Sequence, residues 1–227
     1  MDCTAFLEGI VMNTEEHLGQ WKLMQRQGVF PLGADSLKLG AFATVKRGWK
    51  VCDLGTGSGV LLLLLAQREQ SITLSGIDIQ TEAVQLAQDN LTCNGLAGEI
   101  RQESFQTCTL PAGTYDLVIS NPPYFQTGQG GFGGNSRMGE ENVLQCLCTC
   151  AAKRLKNGGR FALSFRPERL AELFATLQSV GIEPKRLQFV AHTVKHTPSI
   201  VLVEGMKQGK PGLQVLPLAV IQSQEER

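Results

Sequence analysis

The sequence predicts an α/β fold in which helices cover both faces of a doubly wound, mostly parallel seven-stranded sheet. Three observations support this prediction. From residue 49 onward, short apolar segments of strand length alternate with amphipathic segments of helix length, as in repeated β-α units. A glycine-rich turn joins the first of these strands to its helix. The last two apolar segments have no helix between them, so the C-terminal strand should pair antiparallel.

The predicted elements follow one another at regular spacing. We predict strands at 49–55, 72–79, 98–105, 115–121, 160–165, 185–194 and 199–207, and helices at 58–69, 81–95, 140–159 and 167–181. Gly95 and the run Asn157-Gly158-Gly159 are expected to end two of these helices. The 227 residues suffice for one large domain, or a domain with a small appendage.

Residues 1–47 have a mixed character and are predicted to form a short N-terminal extension. We expect a hairpin around Gln27-Gly28, and then a helix that Asp35 or Ser36 caps and that runs to about Val45. This extension should pack on a domain formed by residues 48–227.

The composition indicates the protein's setting more than its activity. The 21 Lys and Arg balance 21 Asp and Glu, so the net charge does not indicate a nucleic-acid binder, although a local basic patch would not show in this sum. Seven cysteines without C-x-x-C spacing predict a reduced intracellular protein, and no metal site is expected. The longest apolar run, Val60 to Ala66, is too short to cross a membrane. Acidic residues interrupt the region of a signal peptide, so we expect a soluble, cytoplasmic protein.

The segment "VCDLGTGSGV" predicts a ligand site where the first strand of the sheet meets its helix. Its glycines, Gly55, Gly57 and Gly59, allow a sharp turn and a close approach of ligand to backbone. Asp53 precedes the loop, and Asp78 ends the next strand 25 residues later, where an acid suits ribose hydroxyls. An anion this close to the turn favours a cationic amine over a pyrophosphate. S-adenosylmethionine carries such an amine, together with a ribose and an adenine. The alternative interpretation is that the two acids only cap helices.

The segment "DLVISNPPYF" predicts a second site at the end of the fourth strand. Proline has no N–H and cannot continue a central strand, so the run from Asn121 to Tyr124 should form a stiff corner. Asn121 Oδ1 and the Pro122 carbonyl are two acceptors beside an aromatic ring, which suits a flat group that bears an NH2. The alternative is a tight turn after a buried strand.

Residues 50–206 resemble the Rossmann-like, class I S-adenosylmethionine-dependent methyltransferases, through "DLGTGSG", the acid that closes the second strand, and "NPPY". The resemblance implies that S-adenosylmethionine is the cofactor. It also implies that the glycines after the first strand, and the acids at the ends of the first two strands, contact this cofactor. It places Glu103 or Ser104 near the cofactor's adenine, and Asn121 between the cofactor and the acceptor. In these enzymes "NPPY" marks transfer to a planar nitrogen: Asn121 and the Pro122 carbonyl position the amine, and Tyr124 stacks on the base.

The flanking segments resemble the small bacterial valine-tRNA adenine-N6 methyltransferases. The match at "GVFPLGADSLKLGAF", residues 28–42, places Asp35 and Ser36 at the family's D-S and implies that Asp35 contributes to the cofactor site. The implied activity is methyl transfer to adenine N6 in structured RNA, with tRNA the favoured partner, no membrane partner, and a monomer favoured over an oligomer. Guanine N2 in RNA and a protein glutamine amide stay open as acceptors, as does a cofactor- or RNA-binding module without catalysis.

Two further expectations concern the RNA. The glycine-rich segment 127–139 is expected to close over the target base. Phosphates are expected to meet a set of basic side chains, namely Lys22, Arg26, Lys38, Arg137, Lys195, His196, Lys207 and Lys210.

Overall fold

A computed structural model describes residues 14–122 and 140–221 of the chain. The predicted positions of Pro123, Tyr124 and the 127–139 loop lie outside these residues. The strands are β1 (Thr14–Leu18), β2 (Trp21–Gln25), β3 (Lys50–Leu54), β4 (Thr73–Asp78), β5 (Gly98–Gln102), β6 (Tyr115–Ser120), β7 (Leu155–Phe165), β8 (Ile182–Ala191), β9 (Ile200–Lys207), β10 (Gln214–Val215) and β11 (Ala219–Val220). The helices are α1 (Ala34–Phe42), α2 (Val60–Arg68), α3 (Thr81–Cys93), α4 (Glu140–Arg154) and α5 (Leu170–Ser179), and a 3₁₀ turn at Pro167–Arg169 precedes α5.

The central sheet has the predicted seven long strands, in the order β5-β4-β3-β6-β7-β9-β8. Strand β9 is antiparallel to both of its neighbours, and the other pairs in this row are parallel. The fold class predicted from the sequence is therefore confirmed. Short strands β10 and β11, which were not predicted, pair with β8.

The chain order of the strands reverses between β3 and β6, because β3 pairs with β4 on one side and with β6 on the other. In doubly wound sheets, ligands bind outside the carboxyl ends of the strands at this reversal. The loops that follow β3, β4 and β6 meet at that edge. They carry the predicted glycine loop, Asp78 and Asn121.

Burial on both faces of the sheet explains the uniformly apolar strands. All six residues of β6 are buried, as expected for a strand covered on both sides. One core cluster joins the strands to α1 and α2, and another joins them to α4 and α5.

The N-terminal hairpin turns at a different place from the predicted one. Strands β1 and β2 pair across Gly19-Gln20, with Gly19 at φ 61°, so the prediction of a hairpin at Gln27-Gly28 was wrong. Residues 27–28 form a separate turn after β2, in which the Val29 N–H bonds to the Arg26 carbonyl at 3.2 Å. Both sites carry a glycine in the left-handed region, so local sequence signals do not distinguish them.

The first helix also differs from its prediction, because distant contacts set its ends. Gly33 is the N-cap residue, so Asp35 and Ser36 lie inside the first turn and cap nothing. The helix ends at Phe42. The Arg68 guanidinium bonds to the Gly40 and Ala43 carbonyls, and buried Glu204 accepts the Thr44 N–H at 2.7 Å.

Two element boundaries in the second half of the chain differ from their predictions for local reasons. Helix α4 ends at Arg154, and β7 begins at the next residue. Gly158, at φ 77°, lies in an irregular part of β7 instead of ending a helix. Strand β8 begins at Ile182, earlier than predicted, and accommodates Pro184 at a register shift, which is where a strand tolerates proline.

Two asparagines, Asn90 of α3 and Asn94 at its C-terminal cap, fasten the hairpin to the sheet domain. The Asn94 side chain bonds to the N–H and C=O of Lys22 at 2.9 and 2.7 Å. Fully buried Asn90 does the same for Met24, at 2.8 and 3.0 Å, and also donates to the Ser58 carbonyl at 2.9 Å. Asn90 therefore ties the hairpin to the glycine loop. The division into domains at residues 47 and 48 stays a prediction.

Candidate active site

The glycine loop has a backbone that only glycine adopts without strain. Gly55, Gly57 and Gly59 have φ values of 77°, 53° and 78°, in the left-handed region. The N–H groups of Gly55 and Thr56 both bond to the Ile77 carbonyl at 2.9 Å, so the loop is locked onto the end of β4. A Cβ on Gly59 would lie 3.3 Å from Ala87 of α3, whereas one on Gly57 would meet open space. The loop is thus packed behind and open in front.

Asp78 closes this loop from the neighbouring strand. Its carboxylate accepts the Gly57 N–H at 2.9 Å on one oxygen and the Gln80 N–H at 3.0 Å on the other. The side chain is mostly buried but reaches the wall of a cleft. Each carboxylate oxygen keeps a further lone pair, so Asp78 can hold the loop and still accept hydroxyl groups of a ligand.

Asp53 lies fully buried beneath the loop. Thr56 Oγ1 donates to its Oδ2 at 2.9 Å. Its Oδ1 has no hydrogen-bond partner within the described part of the chain. Burial raises the pKa of this carboxyl to about 7; the Thr56 hydrogen bond opposes that rise and the Asp78 charge adds to it. A buried acceptor without a donor fits a ligand that brings a cationic amine.

The cleft in front of the loop has a volume of about 360 Å³, within the range of small-molecule sites. One wall comes from the turn after β2 and from α1, and the other from the loop and the strand ends. Its lining includes Gly28, Val29, Phe30, Ser36, Thr56, Ser58 and Gln80, as well as the predicted Gly55, Gly57, Asp78 and Asn121. Sequence reasoning missed most of the first group. For Gly28, Val29 and Phe30 the available signal was the nearby D-S segment, and for Thr56 and Ser58 it was their place within the glycine run.

Asn121 follows β6 and lies in the same cleft wall, almost fully buried. Its Nδ2 donates to Ser36 Oγ at 3.0 Å, and Ser164 Oγ donates to its Oδ1. Pro122 is buried next to it. The structure therefore brings Asn121, predicted to hold the methyl-accepting amine, into the same cleft as predicted cofactor residues. It also shows two serines whose contacts with Asn121 the sequence did not suggest. The roles of these residues stay predictions.

The remaining predicted cofactor residues lie at the margin. Asp35 is half-buried in the first turn of α1. Among the residues found to line the cleft is its neighbour Ser36 and not Asp35 itself. The Glu103 N–H bonds to the Asp78 carbonyl at 2.9 Å. Burial acts to raise the pKa of the Glu103 carboxyl, but hydrogen bonds from Thr109 hold it below its usual range. Their contacts with a cofactor remain predictions.

Of the basic residues predicted to meet phosphates, Arg137 lies outside the described residues, and three others lie at opposite edges of the sheet. Lys195 and His196 lie in the turn between β8 and β9, at the edge that holds Asn121. Lys207 ends β9 at the opposite edge, where its Nζ donates to the carbonyls of Ala152 and Leu155 at 2.7 and 2.8 Å. Lys207 therefore anchors the end of α4.

Across residues 14–122 and 140–221, no helix is both long and apolar enough to span a membrane. The same ranges contain no group of three or more His, Cys, Asp or Glu placed to hold a metal ion. In these ranges the thiols of Cys52, Cys108, Cys146, Cys148 and Cys150 are not joined in disulfide bonds.

Residues 21–181 match the family model described as methyltransferase small domain. The chain belongs to this family. The methyltransferase is 31% identical over 188 residues to the tRNA1(Val) (adenine(37)-N6)-methyltransferase of Tolumonas auensis, covering 81% of this chain and 79% of that one. It is 33% identical over 153 residues to the enzyme of the same name from Cronobacter sakazakii, covering 64% of this chain and 62% of the relative.

Solved structures share the fold of this methyltransferase. A predicted O-methyltransferase from Agrobacterium tumefaciens superposes with a TM-score of 0.69 at 18% identity, over 85% of this chain and 89% of that one. The T. thermophilus 16S rRNA N2 G1207 methyltransferase, solved with AdoMet and guanosine, superposes with a TM-score of 0.62 at 21% identity, over 86% of this chain and 50% of that one. The predicted class, an S-adenosylmethionine-dependent methyltransferase with a Rossmann-like sheet, is confirmed.

Proposed function

We propose that this methyltransferase transfers a methyl group from S-adenosylmethionine to the exocyclic N6 of an adenine in tRNA. The observation that carries the proposal is the meeting of the glycine loop, Asp78 and Asn121 in one cleft. The substrate in the relatives' names, adenine 37 of a valine tRNA, supports the choice of base and of RNA.

The cofactor half of the cleft matches the parts of S-adenosylmethionine in chemistry. Asp78 has lone pairs for the ribose hydroxyls, and Asp53, behind Thr56 of the cleft wall, offers in Oδ1 a buried acceptor suited to the amine. The exposed side of Gly57 lets a ligand approach the backbone. When bound, S-adenosylmethionine supplies the methyl group on a positively charged sulfur.

The acceptor half of the cleft has to make a poor nucleophile react. The N6 lone pair of adenine is delocalised into the ring. Asn121 Oδ1 and the Pro122 carbonyl accept the two N–H groups and turn the lone pair toward the methyl carbon. The new N–C bond forms as the C–S bond breaks, and the nitrogen then gives its extra proton to water. Catalysis by this chain is thus mainly positioning by fixed dipoles.

The adenine has to leave its stack or lie in a loop to reach this corner. Lys195 and His196 are at the same edge of the sheet and suit the flanking phosphates. We propose a cytoplasmic location, because the proposed substrate is tRNA, and keep the expectation of a monomer without a membrane partner.

The direct test incubates the purified protein with methyl-labelled S-adenosylmethionine and unmodified tRNA, followed by nucleoside mass spectrometry. The expected product is labelled N6-methyladenosine. Labelled N2-methylguanosine, or label on protein glutamine in a lysate, would contradict the choice of acceptor. Cofactor binding without transfer to any of these would contradict an enzymatic role.

A further inference from the structure

Both ends of the Asn121 side-chain amide are held by buried hydroxyls. Ser36, on α1, is 2% exposed, and Ser164, on β7, is 0% exposed. Ser36 accepts from Nδ2 at 3.0 Å, and Ser164 donates to Oδ1. The two serines are 85 and 43 residues from Asn121 in the chain. Three separate elements of the fold thus converge on one amide.

We propose that Ser36 and Ser164 are positioning residues that fix the plane of the Asn121 amide for methyl transfer. The proposal rests on the proposed role of Asn121 in holding the acceptor amine. An amide oxygen has two lone pairs. Ser164 occupies one of them and so fixes the direction of the other, which is left for the substrate N–H.

Ser36 acts on the opposite end of the same amide. By accepting from Nδ2, it prevents rotation about the bond that carries the amide. It also polarises the group, because chained hydrogen bonds strengthen one another. The Oδ1 acceptor is then both oriented and more negative when the amine arrives.

The structure also explains how the serines are themselves fixed. Ser164 follows Leu163, which pairs with Ser120, so β7 delivers it beside Asn121. Helix α1 delivers Ser36, and the segment after α1 is fastened to the sheet by buried Glu204. Glu204 accepts from Thr44 N and Oγ1 at 2.7 and 3.0 Å and pairs with Arg160 at 2.7 Å.

The test compares Ser36→Ala and Ser164→Ala with the wild type in single-turnover methyl transfer to tRNA. Each rate should fall about tenfold, because small misplacements of a positioning group are costly. The dissociation constants for S-adenosylmethionine and tRNA should stay within about threefold. Ser75→Ala is the matched control, since Ser75 is a buried sheet serine bonded to Tyr115, away from the cleft; its rate should match the wild type. Equal slowing in this control would contradict the proposal.

A double-mutant cycle separates positioning from general damage. Neither serine variant should slow transfer further in an Asn121→Ala background, because the group that they position is gone. The same slowing in both backgrounds would show that the serines act independently and would overturn the proposal. A normal rate for Asn121→Ala alone would instead overturn the proposed function, and the inference with it.

A non-catalytic readout covers variants that lose stability. In the ¹⁵N-labelled wild type, hydrogen exchange of the Asn121 side-chain NH2 should be slow, and Ser36→Ala should speed it. If Ser164→Ala fails to fold, Ser164→Cys keeps a weak donor of similar shape and should transfer faster than Ser36→Ala. Unchanged NH2 exchange in folded Ser36→Ala would contradict the proposal.

Discussion

Cofactor binding should expel a proton from Asp53. Burial raises the pKa of this carboxyl from 3.8 to about 7. A cationic amine bound beside it favours the charged form and lowers the pKa again. Below pH 7, the binding of S-adenosylmethionine must therefore release the proton that Asp53 carries in the free protein.

The size of the effect follows from the pKa. A carboxyl with a pKa of about 7 is about nine-tenths protonated at pH 6 and about half protonated at pH 7. Binding should release about 0.9 proton per site at pH 6 and about 0.5 at pH 7, and affinity should rise about fivefold between them. Titration calorimetry in buffers of different ionisation enthalpy measures these protons. A binding enthalpy that is the same in every buffer at pH 6 would show that Asp53 loses no proton when the cofactor binds.

Asp53→Asn is the control, and it has a second expected effect. The folded pKa of Asp53 lies above the unfolded one, so the folded protein binds more protons between about pH 4 and pH 7. Ionisation of Asp53 thus destabilises the free protein as the pH rises through this window. A shift of about three units corresponds to about 4 kcal/mol. Asp53→Asn should raise the free energy of unfolding at pH 8 by up to this amount, change it little at pH 4, and abolish proton release.

Three further substitutions, the last with a control, test two residues of the cleft and one that stabilises the fold. Asn121→Ala should slow single-turnover transfer about 100-fold or more, because it removes one preorganised polar partner; calorimetry should find nearly unchanged affinity for S-adenosylmethionine. Asp78→Ala should weaken that affinity about 10- to 100-fold through lost charge-assisted hydrogen bonds, and a folded variant with normal affinity would remove Asp78 from the site. Glu204→Ala should lower the free energy of unfolding in urea by about 3 kcal/mol, because it removes a fully buried carboxylate and leaves the half-buried Arg160 and Arg186 without it. Glu99→Ala, which breaks an exposed pair with Arg101, should change it by less than about 1 kcal/mol.

The features predicted correctly from the sequence are those that neighbouring residues determine. The succession of strands and helices along the chain follows from alternating apolar and amphipathic segments. The glycine loop follows from the short run of residues 55–59. Asp78 and Asn121 line one cleft because parallel strands bring their carboxyl ends to one edge, while their roles there stay predictions.

The incorrect predictions concern features that contacts between residues distant in the sequence determine. Helix α1 ends where Thr44 meets Glu204, 160 residues away, and no local pattern shows that contact. The hairpin was misplaced because two glycine turns lie close together in the sequence. Ser36 was interpreted as a possible cap, yet its hydroxyl serves Asn121. The raised pKa of Asp53 is likewise a result of burial, which only the folded chain creates.

The central claim is that this chain methylates an adenine N6 in tRNA, and one comparison tests it most directly. Individual tRNAs from cells that lack the gene are digested and compared with those of the parent by nucleoside mass spectrometry. We expect N6-methyladenosine to disappear from one tRNA and to return with the wild-type gene but not with Asn121→Ala. Unchanged N6-methyladenosine in every tRNA, together with loss of another methylated nucleoside, would contradict it.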